Sequence, residues 1–224
     1  MSNRGRFIEV RDQLLRCRED WMGAQREFRW PVLEEFNWVR DYFDVVAANN
    51  DTPALRVVDD AGGDQSLAFS ELARRSAQVA NFFASEGLRA RDRLLIMLPN
   101  SVALWETMLA AIRLGAVMIP ATTLLEREDL RDRLERGQVK AIVTDAGLAG
   151  RFAGLPGAPL RIAVGRGVQG WVGYDRSHAA VAISFSLLGP RNLSTHSRTN
   201  CAGPLRSPWS VFRLIYRSPG QAKS

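Results

Sequence analysis

Three apolar runs separated by two helix-like segments constrain this chain more than any other feature of its sequence. The runs are Leu94–Leu98, Ala116–Ile119 and Val139–Val143. Apolar runs that do not alternate with polar residues are typical of strands buried on both faces. A strand–helix–strand–helix–strand order with short links predicts a parallel sheet with right-handed crossovers. We therefore expect an α/β fold with a parallel sheet flanked by helices.

Further elements are predicted on either side of this unit. The runs Ala54–Val58 and Gln65–Phe69 enclose a turn-rich segment and predict a hairpin. Ser70 is expected to cap the helix that follows, and Gly87 to end it. The run Leu160–Val164 predicts a fourth strand.

The remaining helices are predicted from spacing and end signals. Residues 1–28 predict a surface helix broken near Gly23. The charged segment Glu126–Arg136 predicts a solvated helix, which Gly137 is expected to end. Gly115 is expected to end the helix before the second apolar run.

The charges of the chain are unevenly distributed. The 224 residues carry 30 basic and 24 acidic groups, and the bases are arginine except for Lys140 and Lys223. Asp175 is the last acidic residue, so residues 176–224 hold seven basic groups and no acid. With 46% hydrophobic residues, the composition excludes a collagen, a disulfide scaffold and a wholly disordered chain. A neutral body with a basic tail makes nucleic acid an unlikely partner for the whole chain.

Cysteine use and hydropathy suggest a cytoplasmic protein. Cys17 and Cys201 lie far apart, as expected for free thiols, and no Cys or His spacing indicates zinc. The charged start has no apolar core of a signal peptide. The longest apolar stretch, 102–125, is interrupted by Glu106, Arg113 and other breaks, so no membrane span is expected.

Several phrases of the sequence resemble the N-terminal part of adenylate-forming (AMP-binding) acyl-CoA synthetases. They are Phe28–Asp41, Thr52–Leu55, Leu67–Leu72, the strand and turn Ala90–Ser101, and Leu104–Leu125 with its IRLGAVMIPATTLL run. The medium-chain branch of the family is the most similar. The likeness covers residues 28–152 and implies that these elements form part of the large N-terminal domain of the synthetase fold.

The resemblance implies a two-step reaction. ATP and a carboxylic acid, a medium-chain fatty or aromatic acid, give an acyl-adenylate, and coenzyme A then displaces AMP. The implied cofactors are ATP, Mg and CoA, none of them assigned to a site in this chain. Catalytic residues and metal ligands are not predicted.

The family's glycine- and threonine-rich phosphate loop has only a weak counterpart here. Ser218, Gly220 and Lys223 stand where its serine, late glycine and lysine are expected, whereas Pro219 removes a backbone donor. The resemblance therefore implies, at most, a vestige of the ATP phosphate loop. We expect a truncated synthetase that is inactive alone.

The expected organisation has three parts. Residues 1–30 form a helical extension, 31–165 a partial synthetase domain, and 166–224 a basic Ser/Arg/Pro-rich tail that is poorly structured. The tail from about Ile183 has the composition of out-of-frame translation of a GC-rich gene. The alternative is a non-catalytic interaction protein that uses a synthetase-like scaffold and the basic tail.

A glycine motif and the two histidines do not indicate a further function. Gly165, Gly167 and Gly170 form a literal GxGxxG, but no convincing helix or acidic ribose partner follows, so we predict a loop. His178 and His196 are expected at the surface and do not suggest a catalytic triad. The aromatic residues of the tail are not arranged as a nucleic-acid-binding module.

Overall fold

The computed structural model describes residues 2–58, 63–157 and 159–182. The α-helices are α1 (Asn3–Arg16), α2 (Trp21–Glu27), α3 (Asp44–Ala47), α4 (Phe69–Ser85), α5 (Val102–Leu114) and α6 (Arg127–Gly137). The strands are β1 (Pro53–Val58), β2 (Asp64–Ala68), β3 (Arg93–Met97), β4 (Val117–Pro120), β5 (Ala141–Asp145), β6 (Leu160–Val164) and β7 (Val172–Gly173). A π-helical turn, Val39–Phe43, leads into α3, and 3₁₀ helices follow β5 (Ala146–Phe152) and β7 (Tyr174–Ala179).

Five strands form the predicted parallel sheet in the order β4-β3-β5-β6-β7. In β3, Leu94 and Leu95 are inaccessible to solvent, as are Ile142 and Val143 of β5, because both strands are covered on two faces. The chain moves outward from β3 to β4 and then returns to the other side of β3 to form β5. Right-handed crossovers then place α5 and α6 on opposite faces. The predicted α/β fold is thus confirmed.

The core beneath α6 illustrates how the sheet is buried. Leu95 and Met97 of β3 and Ile142 of β5 pack with Leu130 of α6 and with Phe152. The alternate residues of each strand point to the opposite face. The charged residues of α6 stay exposed, and Glu126 and Asp129 form a capping box at its start.

The hairpin is a separate two-stranded sheet. β1 and β2 pair antiparallel, as predicted; the turn between them falls in residues 59–62, outside the described part. The prediction that Ser70 caps α4 is wrong. The helix begins at Phe69, so Ala68 and not Ser70 occupies the cap position, and the Ser70 hydroxyl donates instead to the Asp51 carboxylate at 2.7 Å.

The N-terminal segment forms two helices, and they separate earlier than predicted. The break lies at 17–20, not at Gly23, because the Asp20 carboxylate accepts a hydrogen bond from the Gly23 amide at 2.8 Å and caps α2. Cys17 lies in this break as a free thiol. Across the described ranges, we find no helix that combines the length and apolar character of a membrane span.

Helix ends follow the glycine signals in two cases and depart from them in one. Gly87 and Gly115 have φ of +95° and +76°. This left-handed conformation is common at helix ends and favours glycine, which has no Cβ. Gly137, predicted as the end of α6, lies in its last turn, and Gln138 adopts the left-handed conformation instead. β7 and the helix after it continue the fold beyond residue 165, the boundary predicted for the synthetase-like part, since β7 pairs with β6.

Candidate functional site

A cleft lies at the carboxyl edge of the parallel sheet. It has a volume of about 710 Å³ and lies between β2, the first turns of α4 and α5, the end of β6 and the final 3₁₀ helix. Val102 and Ala103 reach it from the first turn of α5, and Val164 and Gly165 from the end of β6. Ligands of open α/β sheets bind outside the carboxyl ends of the strands. We call this space the carboxyl-edge cleft.

A buried carboxylate, Glu106, forms the inner wall of this cleft. Its side chain on α5 is 2% exposed. The Arg75 guanidinium on α4 donates to both of its oxygens, from Nε to Oε1 at 2.9 Å and from Nη2 to Oε2 at 3.2 Å. The Tyr174 hydroxyl donates to Oε2 at 2.9 Å. A buried charge requires such partners, so the three side chains form one unit that joins α4, α5 and the segment after β7.

This arrangement keeps Tyr174 protonated. Burial, and then the neighbouring Glu106 carboxylate, raise the pKa of the Tyr174 hydroxyl well above its ordinary value. The hydroxyl is therefore a hydrogen-bond donor at neutral pH and is unsuited to act as a general base. The unit of Arg75, Glu106 and Tyr174 therefore suits a role in holding α4, α5 and the segment after β7 in place, and it does not suit proton transfer.

The outer part of the cleft is acidic. Asp64, Glu71 and Asp175 line it together with Glu106 and Arg75. The cleft thus has four carboxylates and one guanidinium, which Glu106 already binds. Asp64 also pairs with Arg56 outside the lining, and that hydrogen bond lowers the pKa of Asp64. The resulting field favours cations and repels anions.

These residues do not fit a nucleoside triphosphate. Phosphate sites in proteins combine backbone N–H groups with lysine or arginine side chains that are available to the oxygens. In the carboxyl-edge cleft the guanidinium is already committed to Glu106 and carboxylates dominate. In the described ranges, no three His, Cys, Asp or Glu side chains converge as they would around a metal ion.

A second buried ion pair holds the helices behind the cleft. Arg113 of α5 is 2% exposed and donates from Nη1 and Nη2 to the two oxygens of Asp44, both at 2.6 Å. Nη2 also donates to the Ser76 hydroxyl at 3.2 Å. A smaller cleft of about 380 Å³ adjoins this pair. The pair joins α5 to α3 and α4, and its role is structural.

The residues proposed for the phosphate-loop vestige, Ser218, Gly220 and Lys223, lie outside the described residues, as does His196. The glycines of the GxGxxG form a loop, as predicted: Gly165 and Gly170 have φ of +106° and +78°, and strand β7 follows instead of a helix. His178 lies on the wall of the carboxyl-edge cleft.

The sequence interpretation did not find the unit of Arg75, Glu106 and Tyr174. It treated Glu106 only as an interruption of an apolar stretch. A single carboxylate within the apolar helix 102–114 is itself a signal of a buried ion pair, because an unpaired charge would not be tolerated there. The identity of the partners could not be inferred, since Arg75 and Tyr174 lie 31 and 68 residues away.

In a comparison with protein families, residues 43–179 match the family described as AMP-binding enzyme. Among individual proteins, the chain is 36% identical over 126 residues to acyl-coenzyme A synthetase ACSM5, mitochondrial, of Rattus norvegicus. That alignment covers 53% of this chain and 22% of the rat protein. The chain therefore spans less than a quarter of the length of this relative.

Solved structures give the same result for the fold. An acyl-CoA synthetase from Brucella canis superposes with a TM-score of 0.55 at 26% identity, over 58% of this chain and 25% of that one. Acetoacetyl-CoA synthetase from Streptomyces lividans superposes with a TM-score of 0.60 at 20% identity, over 66% of this chain and 26% of that one. The second likeness concerns the fold alone.

Proposed function

The chain belongs to the family of AMP-binding enzymes, and from that premise we propose that it is the sheet-forming part of an acyl-CoA synthetase. The proposed parent reaction is the ATP-dependent activation of a carboxylic acid. A carboxylate oxygen attacks the α-phosphorus of ATP and displaces pyrophosphate, and the thiol of coenzyme A then attacks the acyl carbon and displaces AMP. Similarity to acyl-CoA synthetases from rat and Brucella canis supports this reaction class.

Finer details of the reaction are also proposals. Medium-chain fatty or aromatic acids are the proposed substrates, and Mg²⁺ is the proposed metal of the parent reaction. We also propose a cytoplasmic location, although the rat relative is named as mitochondrial. Fractionation of cells that express the tagged chain tests the location: recovery with mitochondrial markers would contradict it.

We further propose that the 224-residue chain by itself has a structural role and does not catalyse the parent reaction. The observation that carries this proposal is the acidic carboxyl-edge cleft, in which Arg75 is bound by Glu106. A cleft of this charge opposes the entry of a triphosphate, and adenylation needs cationic or N–H groups at the developing charge. In the described part, both buried ion pairs, Arg75 with Glu106 and Arg113 with Asp44, hold helices together.

Acid-dependent exchange of pyrophosphate into ATP is the appropriate test. Purified chain is assayed with Mg²⁺ and with butyrate, octanoate or benzoate, beside a heat-denatured control, and near-ultraviolet circular dichroism verifies that the sample is folded. We expect exchange no faster than the control. Exchange well above it with any of the acids would overturn the proposal that the chain is inactive alone.

The second candidate function is that of a non-catalytic interaction protein. The observation that favours it is the charge of residues 176–224, with seven basic groups and no acid. Such a segment would bind an acidic partner mainly through electrostatic attraction, which salt weakens. Retention on a polyanion column that falls with salt and is lost on deletion of 183–224 would favour this function, whereas equal retention of both proteins would exclude it.

A further inference from the structure

The segment after β7, residues 174–182, lies along helix α4 and forms one side of the carboxyl-edge cleft. Tyr174, Asp175 and His178 contribute to the cleft lining. We call this segment the strap. The two ends of the strap are attached to the neighbouring helices in different ways.

The first end of the strap is held through its side chains. The Tyr174 hydroxyl is anchored on the buried Glu106 carboxylate. Arg176 pairs at 3.2 Å with Glu86, the residue that follows α4, and lies over the Phe82 ring. The Arg176 side chain is 61% exposed, and an ion pair in that environment contributes little. Tyr174 is therefore the specific anchor.

The second end is held through its backbone. The Gln78 amide nitrogen donates to the carbonyl oxygens of His178 and Ala180, at 3.2 and 3.1 Å. The Asn81 amide nitrogen donates to the carbonyl oxygen of Val181 at 2.5 Å. Gln78 and Asn81 are three residues apart on α4 and so lie on one face of the helix. We call these two side chains the clamp.

The orientation of Gln78 is fixed from the opposite side. Arg74 donates from Nη1 to the Gln78 Oε1 atom at 3.1 Å, and Arg75 does so at 3.4 Å. Since a guanidinium only donates, the Gln78 oxygen must face the arginines and its NH₂ group must face the strap. The clamp is therefore pre-oriented to receive carbonyl groups.

We propose that the clamp holds the strap by its backbone alone, and that the strap is a releasable wall of the carboxyl-edge cleft. Every residue of a chain offers a carbonyl oxygen, so the clamp binds residues 178–181 whatever their side chains are. Docking thus tolerates the change of composition that begins near residue 176. Weakening the clamp frees the strap beyond Arg176 and opens the cleft on the side of His178.

The test uses tryptic cleavage after Arg176 in the full chain, measured by mass spectrometry of the fragment that ends there. Gln78→Glu and Asn81→Asp remove the amide donors, keep the side-chain shape and, at position 78, keep the acceptor for Arg74. Under conditions in which cleavage follows the open population, we expect each to accelerate cleavage roughly tenfold. The matched variants His178→Ala and Val181→Ala keep the carbonyls and should stay within about twofold of wild type.

Two results would overturn the proposal. One is an acceleration by His178→Ala or Val181→Ala as large as that by the clamp variants, which would mean that strap side chains carry the docking. The other is unchanged cleavage in both clamp variants. Hydrogen exchange of the β3 amides verifies that each variant is folded. If Gln78→Glu fails to fold, Asn81→Asp, at a more exposed position, is sufficient to test the proposal.

Discussion

The Tyr174 hydroxyl donates a hydrogen bond of 2.9 Å to the Glu106 carboxylate across 68 residues of sequence. Glu106 lies on α5, and Tyr174 is the first residue after β7. The bond thus links the helix that follows β3 with the segment that follows the edge strand β7. It also determines the inner wall of the carboxyl-edge cleft.

Removal of this hydroxyl tests its contribution to stability. Tyr174→Phe should lower the free energy of unfolding by about 1.5–3 kcal/mol, the range for a hydrogen bond to a charged group. Urea denaturation followed by tryptophan fluorescence measures the change. Tyr42→Phe is the control, because the Tyr42 hydroxyl accepts a hydrogen bond from Arg11 in a more exposed position. An equal loss in both variants would contradict a special role for the buried pair.

The same residue predicts a dependence of stability on alkaline pH. The folded pKa of Tyr174 is raised above its ordinary value, so the folded protein retains this proton to a higher pH than the unfolded chain does. Its contribution to stability is complete below about pH 10 and is lost as pH rises through the folded pKa. The stability advantage of wild type over Tyr174→Phe should therefore shrink as the pH rises above about 10. A constant difference across urea titrations from pH 8 upward would disprove the linkage.

The partnership of Arg75 and Glu106 predicts a rescue. Arg75→Met leaves the Glu106 charge buried without its counterion and should lower the free energy of unfolding by about 3–5 kcal/mol. Adding Glu106→Gln removes that charge and keeps an acceptor for Tyr174, so part of the loss should be recovered. Thermal or urea unfolding of both single variants and the double variant completes the cycle. Additive losses would mean that the two side chains act independently.

Two ion pairs of equal length are expected to contribute very differently to the free energy of unfolding. Arg113 binds Asp44 at 2.6 Å with 2% of its side chain exposed, and Arg136 binds Asp132 at 2.6 Å with 83% exposed. Arg113→Met should lower the free energy of unfolding by about 3–5 kcal/mol, and Arg136→Met by less than about 0.5 kcal/mol. Chemical denaturation of both variants measures the contrast. Comparable losses would show that burial does not govern these pairs.

The positions of the elements followed closely from local patterns. The apolar runs around Leu94 and Ile142 became the buried strands, and Gly87 and Gly115 ended helices as expected. A strand buried on both faces requires a run of apolar residues, and the left-handed end of a helix favours glycine. Both requirements are local, so both can be predicted from neighbouring residues. Errors arose where a distant or competing partner existed, as with Ser70, which Asp51 binds.

The sequence by itself determined the class of fold, the family resemblance and four of the five segments that form the parallel sheet; β7 was not predicted. The tertiary structure alone decided the order β4-β3-β5-β6-β7, the partners of Glu106 and the docking of 178–181 on Gln78 and Asn81. The physical reason is range. Periodicity indicates which face of an element is buried, whereas the partner on that face depends on how the whole chain folds. A backbone carbonyl that binds a side chain leaves no pattern in the sequence, because every residue has such a carbonyl.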